Sequence, residues 1–155
     1  MRSDMNKEVT SASTILLVDD NLHGLTARKL ILSEQGFDVN VALSGEQAWE
    51  MFSHSPYDIV VTDFRMSGMD GVELITRIRA SDSPASTILL SGFAACLGMT
   101  ERSTGADHIV CKGAREVQDL LRAVKRLTAH APRKKGPRSQ DAPRPVALAA
   151  SAGRE

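Results

Sequence analysis

Five short apolar runs, at residues 14–20, 37–43, 57–63, 87–90 and 108–112, alternate with five stretches of helical character, and this alternation constrains the fold more than any other feature. Ile59, Val60 and Val61 are β-branched and uninterrupted by polar residues. Such a run reads as a strand buried on both faces, as in a parallel sheet covered by helices. Strands alternating with helices across short loops give parallel strands joined by right-handed crossovers. The expected fold is therefore a doubly wound α/β domain over residues 14–128, with a five-stranded parallel sheet and helices on both faces.

Helix boundaries follow from capping chemistry. Asn21 caps a helix that runs to about Gln35 and stops at Gly36, with Ala27, Leu30 and Ile31 at helical spacing; Arg28 and Lys29 interrupt the stripe and Gly24 weakens it. Ser44 with Gln47 three residues on is a capping-box signature, opening a helix whose Ala48 and Phe52 face inward and which ends near Ser55 and Pro56. Val72, Leu74, Ile75 and Ile78 set a third helix. From Phe93 to Thr104 the pattern fails: Gly98 and several small or β-branched residues make this the weakest helix and the place where mobility is expected. Val117, Leu120, Leu121, Val124 and Leu127 form a regular amphipathic helix.

A length of 155 residues suits one domain, and nineteen basic against nineteen acidic residues give no general attraction to nucleic acid or membrane. No apolar run approaches the roughly 20 residues that cross a bilayer, and the N-terminus lacks the apolar stretch of a secretion signal, so a cytoplasmic location is expected. Residues 1–13 read as a disordered tail. From Ala129 onward proline, alanine, arginine and lysine dominate without period, predicting a second disordered tail over 129–155, basic in character. That tail lacks the interleaved aromatics that stack on nucleic-acid bases. The two cysteines, Cys96 and Cys111, form neither a CxxC pair nor a four-ligand zinc set; they read as small hydrophobes and fit a reducing compartment.

If the strands are parallel, their carboxyl ends share one edge, which collects Asp19 and Asp20, Asp63, Ser91 and Lys112 from four strands. Carboxylates about 4 Å apart at an effective dielectric near 20 repel by roughly 4 kcal/mol per pair. Lys112 offsets one charge. A divalent cation held by oxygens offsets two more, which suits Mg²⁺, and no histidine or cysteine stands beside the carboxylates to favour zinc.

With this set in place, the chain resembles the receiver domain of two-component response regulators, the family that includes the single-domain chemotaxis regulators. The resemblance rests on Asp19 and Asp20 after the first strand, on Asp63 in Asp-Phe-Arg-Met-Ser-Gly-Met-Asp-Gly, on Ser91 after the fourth strand and on Lys112 after the fifth, and spans residues 14–128. It implies the flavodoxin-like (βα)5 fold and a phosphoryl group transferred from a sensor histidine kinase, or a phosphotransfer protein, to Asp63. It also implies Mg²⁺ held by Asp19, Asp20, Asp63 and the backbone carbonyl of Arg65, a phosphoryl contact from Lys112, and a switch hydroxyl at Ser91. The expected output is contact with a downstream protein, or service as a phosphate sink, by a stand-alone receiver that is not an enzyme and hydrolyses its own phosphoaspartate slowly.

Three positions depart from the family pattern. Ser67 and Gly113 stand where proline is usual, and Ile109 stands where an aromatic residue is usual. The last departure puts the usual route from phosphorylation to the surface in doubt. Two rival readings carry their own markers. An aspartyl-intermediate phosphatase or phosphotransferase commonly has an acidic residue two positions after the nucleophile, where this chain has Arg65. A regulator binding DNA or an acidic partner through the basic tail would lose duplex affinity steeply with salt.

Overall fold

The computed structural model of the chain describes residues 12–130. The tail expected over 1–13 lies, apart from Ala12 and Ser13, outside the described residues, as does the tail expected over 129–155 beyond His130. The elements run β1 (Thr14–Val18), α1 (Leu22–Glu34), β2 (Asp38–Ala42), α2 (Gly45–His54), β3 (Ile59–Asp63), α3 (Gly71–Ala80), β4 (Ser86–Ser91), α4 (Phe93–Cys96), α5 (Glu101–Thr104), β5 (His108–Cys111) and α6 (Glu116–His130). The last helix thus continues two residues past the expected boundary at 128.

All strands are parallel, in the order β2-β1-β3-β4-β5. The chain steps outward from β1 to β2, then returns past β1 to lay down β3, β4 and β5. The direction of winding therefore reverses between β1 and β3, and in open parallel sheets the ligand crevice lies at the carboxyl end of that switch point.

Alternation along each strand sorts the core into two layers. Ile15, Leu17, Ile59, Val61, Ile88, Leu90 and Val110 pack with Leu25 and Leu32 of α1 and with Leu120, Ala123 and Val124 of α6. On the other face Leu16, Val18 and Val60 pack with Ala48 of α2 and with Leu74 and Ile78 of α3. A smaller cluster of Ile75, Leu89 and Ala106 lies beside it. β3 therefore buries every side chain, and β1 and β4 all but their first, as the uninterrupted runs predict.

The structure differs from the sequence reading in four places. The buried stripe of α1 is Leu25, Arg28 and Leu32, while Leu30 is exposed and Ile31 half-buried, because the stem of Arg28 packs inward and its charge is paired. In α2, Ser44 accepts from the Gln47 amide as expected, but the Gln47 side chain accepts from Leu43 N rather than from Ser44. The weak segment resolves into two short helices, the second opened by Thr100 with a reciprocal bond to Ser103 and closed by Gly105 at φ +82°. Finally, Cys96 and Cys111 are not separate small hydrophobes but a disulfide, with Cα atoms 5.7 Å apart. A bonded pair gives no support to a reducing compartment.

Gly71 opens α3 directly behind the end of β3. A Cβ there would collide with the Asp63 carbonyl oxygen and lie 2.8 Å from Leu89 Cδ1, so only glycine lets the helix start this close to the strand. Gly71→Ala is expected to lower stability by about 1–3 kcal/mol in chemical denaturation. Gly98→Ala, where a Cβ meets nothing within 4 Å, serves as the control and is expected to stay within roughly 0.5 kcal/mol of the parent.

Candidate functional site

Asp19 and Asp20 follow β1 and Asp63 ends β3, so the switch point brings their carboxylates together, each offering an oxygen within 4.8 Å of the others. Asp19 and Asp63 are buried and Asp20 is exposed. Four charged or hydroxyl-bearing strand ends meet here because the sheet register aligns them: Val18 pairs with Thr62, Asp63 with Leu90, and Ser91 with Cys111. Lys112, the residue after β5, forms an ion pair with Asp63 Oδ1, and its own backbone amide donates to the Ser91 carbonyl at 2.8 Å.

Each member has a distinct environment. Asp19 accepts from Asn21 N at 2.9 Å through Oδ1 and from Arg28 Nη1 at 2.7 Å through Oδ2. Asp20 Oδ2 accepts a long bond of 3.4 Å from Ser67 N. Burial pushes the Asp63 carboxyl above the usual carboxylate range; the Lys112 hydrogen bond pulls the other way, and the Asp19 charge adds to the rise. Ser91 is fully buried, yet its Oγ has no hydrogen-bond partner among protein atoms. Buried hydroxyls are nearly always satisfied, so an orphan at this edge marks a place where an acceptor is missing.

Arg65 lies on the β3–α3 loop with Phe64, Met66, Ser67 and Asp70, which with Asp20 line an open groove of ≈ 470 Å³. Its side chain is exposed and stands 5.8 Å from the Phe64 ring centroid, so its expected contribution, the backbone carbonyl, is independent of its charge.

Sequence reasoning passed over one participant. Arg28 of α1 points into the acidic pocket, holding Asp19 with Nη1 and Glu116 Oε2 with Nε at 2.6 Å. Burial alone would lower the guanidinium's affinity for its proton; the two carboxylates outweigh it and raise it further. Gly24 explains how the side chain fits, since a Cβ at that position would stand 3.1 Å from Arg28 Nη1. The signal was a glycine and an arginine one helical turn apart on the helix leaving an acidic pair.

The departures at 67 and 113 are built into this geometry. Ser67 supplies the backbone N–H that reaches Asp20, a donor that proline lacks. Gly113 sits at φ +149°, far from the value near −65° that proline requires. Ile109 is half-buried against Ile75, Leu89 and Ala106.

The donor set fits a hard divalent cation. Three clustered carboxylates offer oxygens alone, with no nitrogen or sulfur ligand among them. An orphaned hydroxyl and a lysine beside the strand-end aspartate fit a tetrahedral anion attached to Asp63.

Residues 15–125 match the response regulator receiver domain family. The transcriptional regulatory protein TrcR of Mycobacterium tuberculosis is 31% identical over 119 residues, covering 75% of this chain and 46% of that protein. A gliding motility regulatory protein of Myxococcus xanthus is 31% identical over 117 residues, covering 74% of this chain and 15% of that protein. The chain therefore spans less than half the length of these relatives. Among solved structures, response regulator TrrA of Thermotoga maritima, in complex with Mg(2+)-BeF, is 31% identical with a TM-score of 0.63, covering 74% of this chain and 98% of that one. A putative response regulator from Chloroflexus aurantiacus is 27% identical with a TM-score of 0.69, covering 77% of this chain and 99% of that one. Because the family match runs from the first residues of β1 into α6 and so takes in the whole sheet, the chain belongs to the response regulator receiver domains of two-component signalling.

Proposed function

We propose that this receiver accepts a phosphoryl group on Asp63 from a phosphohistidine of a sensor kinase or phosphotransfer protein, with Mg²⁺, and signals through contact with a downstream protein. The observation that supports this most is the convergence at one edge of Asp63, its Lys112 partner and the unpartnered Ser91 hydroxyl. In the transfer, an Asp63 carboxylate oxygen attacks phosphorus, the phosphorus–nitrogen bond breaks, and the electron pair stays on the imidazole, which takes up a proton. Lys112 pairs with a phosphoryl oxygen and Ser91 donates to another, which would satisfy its buried Oγ. Asp20 and Asp63 would carry most of the cation, with the Arg65 carbonyl and Asp19, whose two oxygens already accept from Asn21 and Arg28. When bound, Mg²⁺ neutralises charge on the transferring group.

Arg65 occupies the place where aspartyl phosphatases carry an acid to protonate the leaving group, so the site is read as an acceptor with slow self-hydrolysis rather than an enzyme turning over small substrates. Among the described residues no helix is long and apolar enough to cross a membrane.

Incubation with acetyl phosphate and Mg²⁺ is expected to add the mass of one phosphoryl group to the intact chain and none to Asp63→Asn. An equal gain in the variant would overturn the assignment. Saturating Mg²⁺, at about 100 times its dissociation constant, is expected to stabilise the parent by about 2.7 kcal/mol in thermal unfolding and Asp20→Asn by clearly less.

The raised carboxyl of Asp63 also gives a pH signature. A carboxyl raised in the fold binds its proton more tightly there than in the unfolded chain, so its contribution is present at low pH and lost as pH rises through the folded value. In metal-free buffer Asp63→Asn is therefore expected to melt higher than the parent at neutral pH, with the gap closing as the pH falls into the carboxylate range.

A further inference from the structure

The two cysteines lie beside the proposed phosphoacceptor site, yet nothing in phosphoryl transfer uses them. Cys96 is the last residue of α4, five positions after Ser91, and Cys111 is the last residue of β5, next to Lys112. Cys111 is moreover the residue that the β4–β5 register places opposite Ser91. The disulfide thus closes a small ring: it runs from Ser91 through Gly92 to Cys96, across the sulfurs to Cys111, and back to Ser91 through the hydrogen bond that the Lys112 backbone N–H donates to the Ser91 carbonyl.

Among the described side chains of this segment, other anchors are few. A Cβ at Gly92 or Gly98 would meet nothing within 4 Å, and Leu97 is 73% exposed. Its backbone bonds are local, from Cys96 N to Gly92 O at 2.8 Å and from Met99 N to Cys96 O at 3.1 Å. Met99, packed beside Ile75 and Leu89, is the next attachment along the chain. The Cα separation of 5.7 Å lies in the range that a disulfide spans without moving the backbone, so the same fold accommodates the bonded and the reduced pair. Cys96 is buried and Cys111 half-buried, so Cys111 is the more exposed residue of the pair.

We propose that Cys96 and Cys111 form a reversible thiol–disulfide site, served by a dithiol reductant, whose oxidised state ties the segment after Ser91 to β5 and limits its rearrangement when Asp63 is phosphorylated. The second half rests on the function proposed above. In reduction, a thiolate of the dithiol attacks Cys111 Sγ, the protein S–S bond breaks, and the electron pair leaves on Cys96 Sγ, which takes a proton. The second thiol then attacks the mixed disulfide and releases Cys111 as a thiolate, which is protonated in turn. The products are a protein dithiol and the disulfide of the reductant; oxidation is the reverse exchange.

The test equilibrates the full chain with reduced and oxidised dithiothreitol in varied ratio, traps thiols by alkylation and reads intact mass. A single reversible transition between the unmodified and the doubly alkylated chain is expected. Two thiols that stay free in the oxidising mixture, or a bond that survives excess reductant in the folded chain, would overturn the site. Amide hydrogen exchange over residues 92–104, without phosphodonor, is then compared in the two states; the disulfide is expected to slow it on the order of tenfold. Equal rates would overturn the tether. With acetyl phosphate and Mg²⁺, the change in exchange over 92–104 is expected to be larger in the reduced chain, and an equal change in both states would overturn the coupling. Cys111→Ser should behave as the reduced chain at every dithiothreitol ratio; sensitivity of its exchange rates to the ratio would count against the proposal. If neither state gains phosphoryl mass on Asp63, the functional reading fails alone, since the thiol titration and the metal-free exchange still decide the redox site.

Discussion

A sheet edge that gathers three carboxylates has to solve a charge problem before it can do chemistry, and the solution organises this domain. Asp19, Asp20 and Asp63 lie within reach of one cation, and two of them are buried, where repulsion is least screened. The fold answers with two fixed positive groups from opposite ends of the chain, Arg28 on α1 and Lys112 after β5. Arg28 is shared with Glu116, so four carboxylates face two cations and a deficit of two charges remains. A divalent ion would close that deficit. The raised affinity of Asp63 for its proton has burial as its first cause, and the Asp19 charge adds to it against the pull of Lys112 and Arg28.

The Arg28 bridge also has a mechanical consequence. By holding Asp19 after β1 and Glu116 at the start of α6, it ties the two helices of one sheet face together directly above the site. Buried pairs of this kind contribute little net stability against a well-packed apolar alternative, but removing one partner strands the others, at roughly 3–5 kcal/mol. Gly24, in the first turn of α1, leaves the space that the guanidinium occupies.

The parallel sheet and the gathering of Asp19, Asp20, Asp63 and Lys112 at one edge are legible in the sequence because both follow from local patterns: uninterrupted apolar runs, caps such as Asn21, and polar residues at strand ends. What escapes is nonlocal. Periodicity treats Arg28 as a break in the stripe, since its partner Glu116 is 88 residues away and invisible to any window. The pairing of Cys96 with Cys111 depends on the β4–β5 register and on a short helix turning back over it, neither of which composition encodes. The capping box at Ser44 is legible only in half, because which amide Gln47 reaches depends on the path of Leu43.

The family departures read differently once these nonlocal contacts are known. Proline at 67 would remove the amide that Asp20 uses, and proline at 113 could not adopt the observed turn, so both losses belong to this chain's way of shaping the site. Ile109 is a different matter. It fills the corner between Leu89 and Ala106 with a branched side chain that has no ring to swing. On the function proposed above, the backbone from Ser91 into α4 would be a path for motion begun at Ser91. That path runs through Cys96, the one residue of α4 covalently bound to the strand beneath it.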